Sequence, residues 1–154
     1  MTTALAMHDG AARQGIRDVV SLFKLRIGVL IMITALVGLA VSAGPAGFLQ
    51  IITVAITVLV ASASAGAFNQ YYECESDALM ARTSRRAFVT GALVRTPSWL
   101  LLMGMMLAGS VALAAFVLNP VSALYVFLGA FFYAIVYTVW LKRRTWLNIV
   151  IGGL

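Results

Sequence analysis

The stretch FLQIITVAITVLVASASAGAFNQYYECESD, residues 48–77, decides the fold. Residues 48–68 carry no charged side chain, and residues 69–77 then gather three acidic ones, Glu73, Glu75 and Asp77. A helix that crosses a bilayer needs about 20 mainly apolar residues, because each adds 1.5 Å to a path of about 30 Å. Residues 48–68 meet that length. Three further charge-free runs, 27–43, 99–118 and 121–141, repeat the pattern, and another apolar run opens at Trp146 and stops at Leu154.

Composition agrees. Of 154 residues, 62% are hydrophobic and 10% charged, and the mean hydropathy is +1.00. A water-soluble domain carries about 25% charged residues. A soluble helix bundle also needs a polar stripe on each helix, and residues 51–60 offer only threonines. A transmembrane barrel alternates apolar and polar residues, which these runs do not. The expected class is all-α, a polytopic membrane bundle with four spans and the start of a fifth. The single cysteine, Cys74, excludes an internal disulfide.

The connectors alternate. Residues 44–47 (GPAG) and 119–120 (NP) are short, uncharged turns made of helix breakers. The other two are charged. All 11 basic residues fall in three places: four up to Arg26, four between Arg82 and Arg95, and three at residues 142–144. If every run spans, these places share one side, and the positive-inside rule makes that side cytoplasmic. The net charge of +6 is thus membrane topology, not a nucleic-acid footprint. Trp99, Trp140 and Trp146 fall at the same interface, where indole rings favour the headgroups. Residues 1–22 have no apolar core for a cleavable signal and read as a cytoplasmic tail; residues 23–154 form the membrane domain. Thr96-Pro97-Ser98 reads as a helix start, since proline is tolerated in a first turn.

If the helix of residues 48–68 continues, Asn69, Glu73 and Asp77 stand at i, i+4 and i+8, within about 80° of one another. Three oxygen-bearing side chains then form one stripe, with Glu75 nearly opposite Glu73. Like charges at i, i+4 repel, and a cation between them turns that cost into a site. Mg²⁺ fits, because it favours carboxylate oxygen and is shared with substrate phosphates. A solvated acidic helix end fits the spacing equally. Arg82, Arg85 and Arg86 favour the site, since metal plus clustered guanidinium is the combination that binds a diphosphate.

These residues resemble the UbiA-type prenyltransferases, whose second helix ends in Asn-x-x-x-Asp-x-x-x-Asp; here the segment reads Asn69-x-x-x-Glu73-x-x-x-Asp77. The segment N-Q-Y-Y-E-x-E-x-D-A-L-M-x-R-T-x-x-R (69–86), the patch Y-T-x-x-L-K-R-R-T-x-x-N-I-V-I-G-G (137–153) and L-F-K-L-R (22–26) are similar to the protohaem farnesyltransferase branch. Two prolines usual in that branch are replaced, by Leu25 and Ala87. Members are about twice as long, with about nine helices and a second acidic motif, so the resemblance implies that this chain is the N-terminal half of such a protein and inactive by itself.

The resemblance implies transfer of farnesyl from farnesyl diphosphate to a vinyl group of haem B, giving haem O, in a bacterial inner membrane. It assigns Asn69, Glu73 and Asp77 to Mg²⁺ and to catalysis. It assigns Arg82 and Arg86 to the diphosphate, with Lys142 and Arg143 closing the site and Lys24 and Arg26 approaching from the first helix. Haem B is then substrate, so His8 is no expected ligand, and contacts with other haem A synthesis proteins are implied. Tyr133 and Tyr137, one turn apart, suit an allylic cation but are read first as interface anchors. The rival readings are a family member with another aromatic acceptor and a non-catalytic four-span membrane protein.

Overall fold

The computed structural model describes residues 15, 18–42, 44 and 46–142. The expected fifth run from Trp146, together with Arg143 and His8, lies outside the described residues. After a helical turn at residues 18–22, the described residues form, in order, α1 (Leu25–Val41), α2 (Phe48–Tyr72), α3 (Cys74–Ala78), α4 (Pro97–Val117) and α5 (Pro120–Phe131). The last continues without a break into a π-helical segment, Phe132–Leu141. Among the described residues there is no strand.

The helices start and stop where the sequence places breakers. Pro97 opens α4, and Pro120 opens α5, where the Asn119 side chain accepts from Ser122 N at 2.7 Å. That satisfies one of the backbone donors orphaned in a first turn. Gly44, in the turn after α1, takes φ 128°, which a side chain would resist.

Among the described residues three helices are long and apolar enough to cross a bilayer: α2, α4, and α5 with its π-helical extension. The protein is an integral membrane helix bundle. α1 is equally apolar but has 17 residues, about 26 Å of rise.

α2 is the centre of the bundle and packs against α1, α4, α5 and the π-helical segment. The cause is its small-residue half. Ala61, Ala63, Ser64, Ala65, Gly66 and Ala67 are all buried, and such residues let helix backbones approach in lipid, where no hydrophobic force draws them together. Ser64 donates to Met103 O of α4 at 2.7 Å. α1 approaches on another side, where a Cβ on Gly28 would meet Leu59 Cδ1 at 3.2 Å. Between α1, α2 and α5, Ala61, Ala65 and Gly66 leave an apolar cavity of about 360 Å³, bounded by Lys24 at one end and by Ala35 and Val58 at the other. From Lys24 to Ala35 the helix rises about 16 Å.

Residues 79–96 form a loop over the charged end. Phe88 is its anchor, edge-on to both Tyr71 and Trp99 and buried with Leu22, Ala67 and Met103. Trp99 also donates to Val94 O at 3.2 Å. It therefore braces this loop, while Trp140 is exposed as an interface residue would be.

Candidate active site

The expected continuous helix through Asp77 is interrupted at one residue. α2 ends at Tyr72, Glu73 sits at φ −89°, ψ 4°, and α3 resumes at Cys74. The i→i−4 bonds survive the kink: Glu73 N to Asn69 O is 3.0 Å and Asp77 N to Glu73 O is 2.8 Å. The stripe therefore persists. Its three side chains are not a solvated helix end, because Asn69, Glu73 and Asp77 are 2%, 4% and 3% exposed. Glu75, on the opposite side, is exposed and pairs loosely with Arg95 at 3.6 Å.

Each stripe residue meets a cation from a different element. Lys24 Nζ donates to Asn69 Oδ1 at 2.5 Å, Lys142 Nζ reaches a Glu73 carboxylate oxygen at 2.6 Å, and the Arg86 guanidinium pairs with Asp77. Two buried carboxylates thus face three cations, an arrangement with one positive charge to spare for an anion. Burial, and next the Arg86 charge, lower the Lys24 ammonium to about 8, with Glu73 opposing and Lys142 adding to the fall.

Lys24 reaches this place through an unusual backbone. It stands between the helical turn ending at Leu22 and the start of α1, at φ 46°, ψ 44°. It is the one described non-glycine residue with positive φ. A lysine in that region costs about 1–2 kcal/mol, so its surroundings must hold it. Gln70 does so, with Nε2 donating to Ser21 O at 3.1 Å and to Leu22 O at 2.9 Å. Gly66 lies beneath, where an added Cβ would make only ordinary contacts of 3.6 Å with Lys24 and Phe23 O, so the turn rests on the Gln70 tether rather than on glycine.

Lys142 arrives by the π-helical segment. A turn with i→i−5 bonding accommodates one extra residue; Lys142 N bonds Tyr137 O at 3.0 Å in this pattern. Thr138, 1% exposed, lies on the face turned to Asn69 and accepts from its Nδ2 at 3.2 Å.

Of the six basic residues assigned to a diphosphate, the structure brings Lys24, Arg86 and Lys142 together. Arg82 and Arg26 are exposed, and no ion pair or hydrogen bond ties either to the stripe among the described residues. Arg82 follows the end of α3 at Ala78, in the loop of residues 79–96. Tyr133 and Tyr137 stack at 5.7 Å and 12°. Tyr133 is more than an interface anchor: it lines the cavity, and its hydroxyl lies 3.4 Å from Lys24 Nζ. Gln70 and Thr138 carry no local signal of their roles, because their partners lie 48–49 and 69 positions away.

Among the described residues no group of three or more His, Cys, Asp and Glu side chains forms a cation cage. The stripe offers two carboxylates and an amide oxygen. That partial set suits Mg²⁺, a hard cation usually held by one or two carboxylates with the rest of its shell filled by water and phosphate.

The chain has well-matched relatives. It is 52% identical over 135 residues to protoheme IX farnesyltransferase 2 of Paramagnetospirillum magneticum, covering 87% of this chain and 47% of the relative. It is 44% identical over 135 residues to the protoheme IX farnesyltransferase of Pyrobaculum neutrophilum, covering 86% and 47%. A second P. magneticum protein, protoheme IX farnesyltransferase 1, is 40% identical over 137 residues, covering 89% and 48%. The chain therefore spans about half the length of the curated relatives it matches. No solved structure matches it significantly. The UbiA prenyltransferase family profile matches residues 31–154, which include the whole acidic stripe, and the chain belongs to that family.

Proposed function

We propose that the protein carrying this sequence transfers a farnesyl group from farnesyl diphosphate to a vinyl group of haem B, giving haem O. The observation that carries this reading is the buried Asn69–Glu73–Asp77 stripe, matched to Lys24, Arg86 and Lys142, at the mouth of an apolar cavity. A diphosphate needs cations and a farnesyl chain needs a dry slot, and Lys24 and Tyr133 belong to both regions. The names of the relatives support the farnesyl donor and the haem acceptor.

Lys24, Arg86 and Lys142 bind the diphosphate. Held at fixed positions out of bulk water, they stabilise the charge that gathers on the leaving group as the allylic C–O bond breaks. Arg82 and Arg26, both exposed, act from the periphery. Asn69, Glu73 and Asp77 would hold Mg²⁺, which would supply further neutralisation of the leaving diphosphate's charge. Tyr133, stacked on Tyr137, lines the slot where the farnesyl carbon becomes electron-poor. The apolar lining excludes water that would capture the farnesyl cation before the terminal vinyl carbon forms the new C–C bond. The charge then left on the inner vinyl carbon is quenched by one water, which adds there and releases a proton, while diphosphate stays with the cations. The clustering of cations at one end of the bundle supports a cytoplasmic N-terminus and cytoplasmic charged loops in a bacterial inner membrane.

The test is Asp77→Ala in the full-length protein, assayed for haem O formation from haem B and farnesyl diphosphate. The variant is expected to insert in the membrane and lose transfer. Near-normal haem O formation would remove Asp77, and the metal with it, from the chemistry.

A further inference from the structure

Asn69 is a special member of the stripe, because an amide can face a site with either its oxygen or its nitrogen. Only the oxygen serves a cation. Something must decide which end points inward, and the contacts with Thr138 and Lys24 do so. Asn69 and Thr138 are among the largest side chains with essentially complete burial. The Thr138 hydroxyl donates its one hydrogen to Tyr133 O at 2.9 Å. What it then offers Asn69 is a lone pair, and the amide answers with Nδ2 at 3.2 Å. The oxygen is left facing the site, where Lys24 Nζ meets it at 2.5 Å.

We infer that Thr138 is a positioning residue, which holds the Asn69 carbonyl oxygen toward the cation site by committing its own hydroxyl proton to the Tyr133 carbonyl. This rests on the metal-and-diphosphate reading of the stripe. The commitment depends on the π-helical segment. In an α-helix a threonine hydroxyl reaches the carbonyl three or four residues back; here it reaches five back. A hydroxyl has one donor and two acceptor sites, so the proton spent on Tyr133 O cannot also be offered to Asn69. Lys24 supports the same orientation from the other side, since an ammonium only donates. That support weakens whenever Lys24 turns to an anion, whereas the Thr138 contact stays.

Partners that orient a metal ligand typically account for 10- to 100-fold in metal affinity. The test uses the full-length protein in detergent and reads Mn²⁺ binding by electron paramagnetic resonance, alongside the Mg²⁺ dependence of turnover. Thr138→Val keeps shape and burial but offers no lone pair. It is expected to weaken Mn²⁺ binding by about 10- to 100-fold, with turnover recovering at high Mg²⁺. Thr138→Ser keeps the hydroxyl and is expected to return Mn²⁺ affinity to within about threefold of the starting protein. If Thr138→Val does not accumulate in the membrane, Thr138→Ala removes the same acceptor and carries the same expectation. Unchanged Mn²⁺ affinity in the Val or Ala variant, or a well-folded Ser variant as weak as Val, overturns the inference while leaving the metal site standing. Absence of Mn²⁺ binding in the unsubstituted protein overturns both.

Discussion

Gln70→Ala removes both hydrogen bonds that tether the carbonyls of Ser21 and Leu22 to α2. Each neutral bond contributes about 1 kcal/mol net, so the tether loses about 2 kcal/mol. It has been holding Lys24 in a left-handed conformation that costs about 1–2 kcal/mol. The two figures are of equal size, so removing one lets the other assert itself, and the population with Lys24 in the site falls. A change of 2 kcal/mol is a factor of about 30 in an equilibrium constant. Apparent affinity scales with the fraction of protein in the competent state. Part of the change is absorbed where that fraction starts near one, which leaves an expected loss of about 3- to 30-fold. The assay is equilibrium binding of a non-reacting farnesyl thiodiphosphate to the full-length protein in detergent. Glu75→Gln is the control, since Glu75 is exposed, lies opposite the stripe and pairs only loosely with Arg95 at 3.6 Å, and binding within about twofold is expected. Refutation would be a Gln70→Ala protein that binds within twofold of the unsubstituted one while Lys24→Ala binds poorly. Lys24 would then find the site without Gln70.

Arg86→Ala exposes a buried carboxylate and removes a cation, so diphosphate affinity is expected to fall more than tenfold, whereas Arg82→Ala, exposed and untethered, stays within a few-fold; inorganic diphosphate competition measures both. In the metal-free protein, Lys24 titrates at about 8, and only its charged form attracts an anion, so its contribution to diphosphate binding is present at pH 7 and mostly lost by pH 9. Lys24→Arg is expected to flatten that dependence. Stability moves the other way: the unfolded chain keeps this proton up to about 10.5 and the folded one does not, so the Lys24 contribution to stability rises between pH 8 and 10.5, which thermal melting across that range tests. Ala65→Phe places a ring in the cavity wall. It is expected to weaken farnesyl diphosphate binding more than tenfold and leave inorganic diphosphate unchanged; equal loss of both would show that the cavity does not hold the chain.

The spans were legible because lipid permits little besides a helix with its backbone bonds closed internally, and residues 48–68 announce one by length alone. The stripe was legible because i, i+4 and i+8 is a property of one helix, and it outlived the kink at Glu73. Beyond Ala78 that ruler stops working. Residues 79–96 fold by turns around Phe88, so proximity in sequence set Arg82 beside Arg86 without saying which one turns inward. Lys24 in a left-handed conformation, the Gln70 tether and the Thr138 contact all depend on residues 45–69 positions apart. Nothing periodic records such pairs.

The π-helical end of the last span has a consequence for insertions and deletions. A π turn is an α-helix that has absorbed an extra residue. Deleting one residue within 132–141 would be structurally cheap, and the span, 22 residues long from Pro120 to Leu141, would still cross the bilayer. A deletion that restored regular α-helical winding would leave the flanking residues near their present phase, but would take from Thr138 the carbonyl five residues back and with it the contact to Asn69. In this segment the chain length that satisfies the lipid and the chain length that satisfies the chemistry differ by a single residue, and the surplus residue belongs to the chemistry.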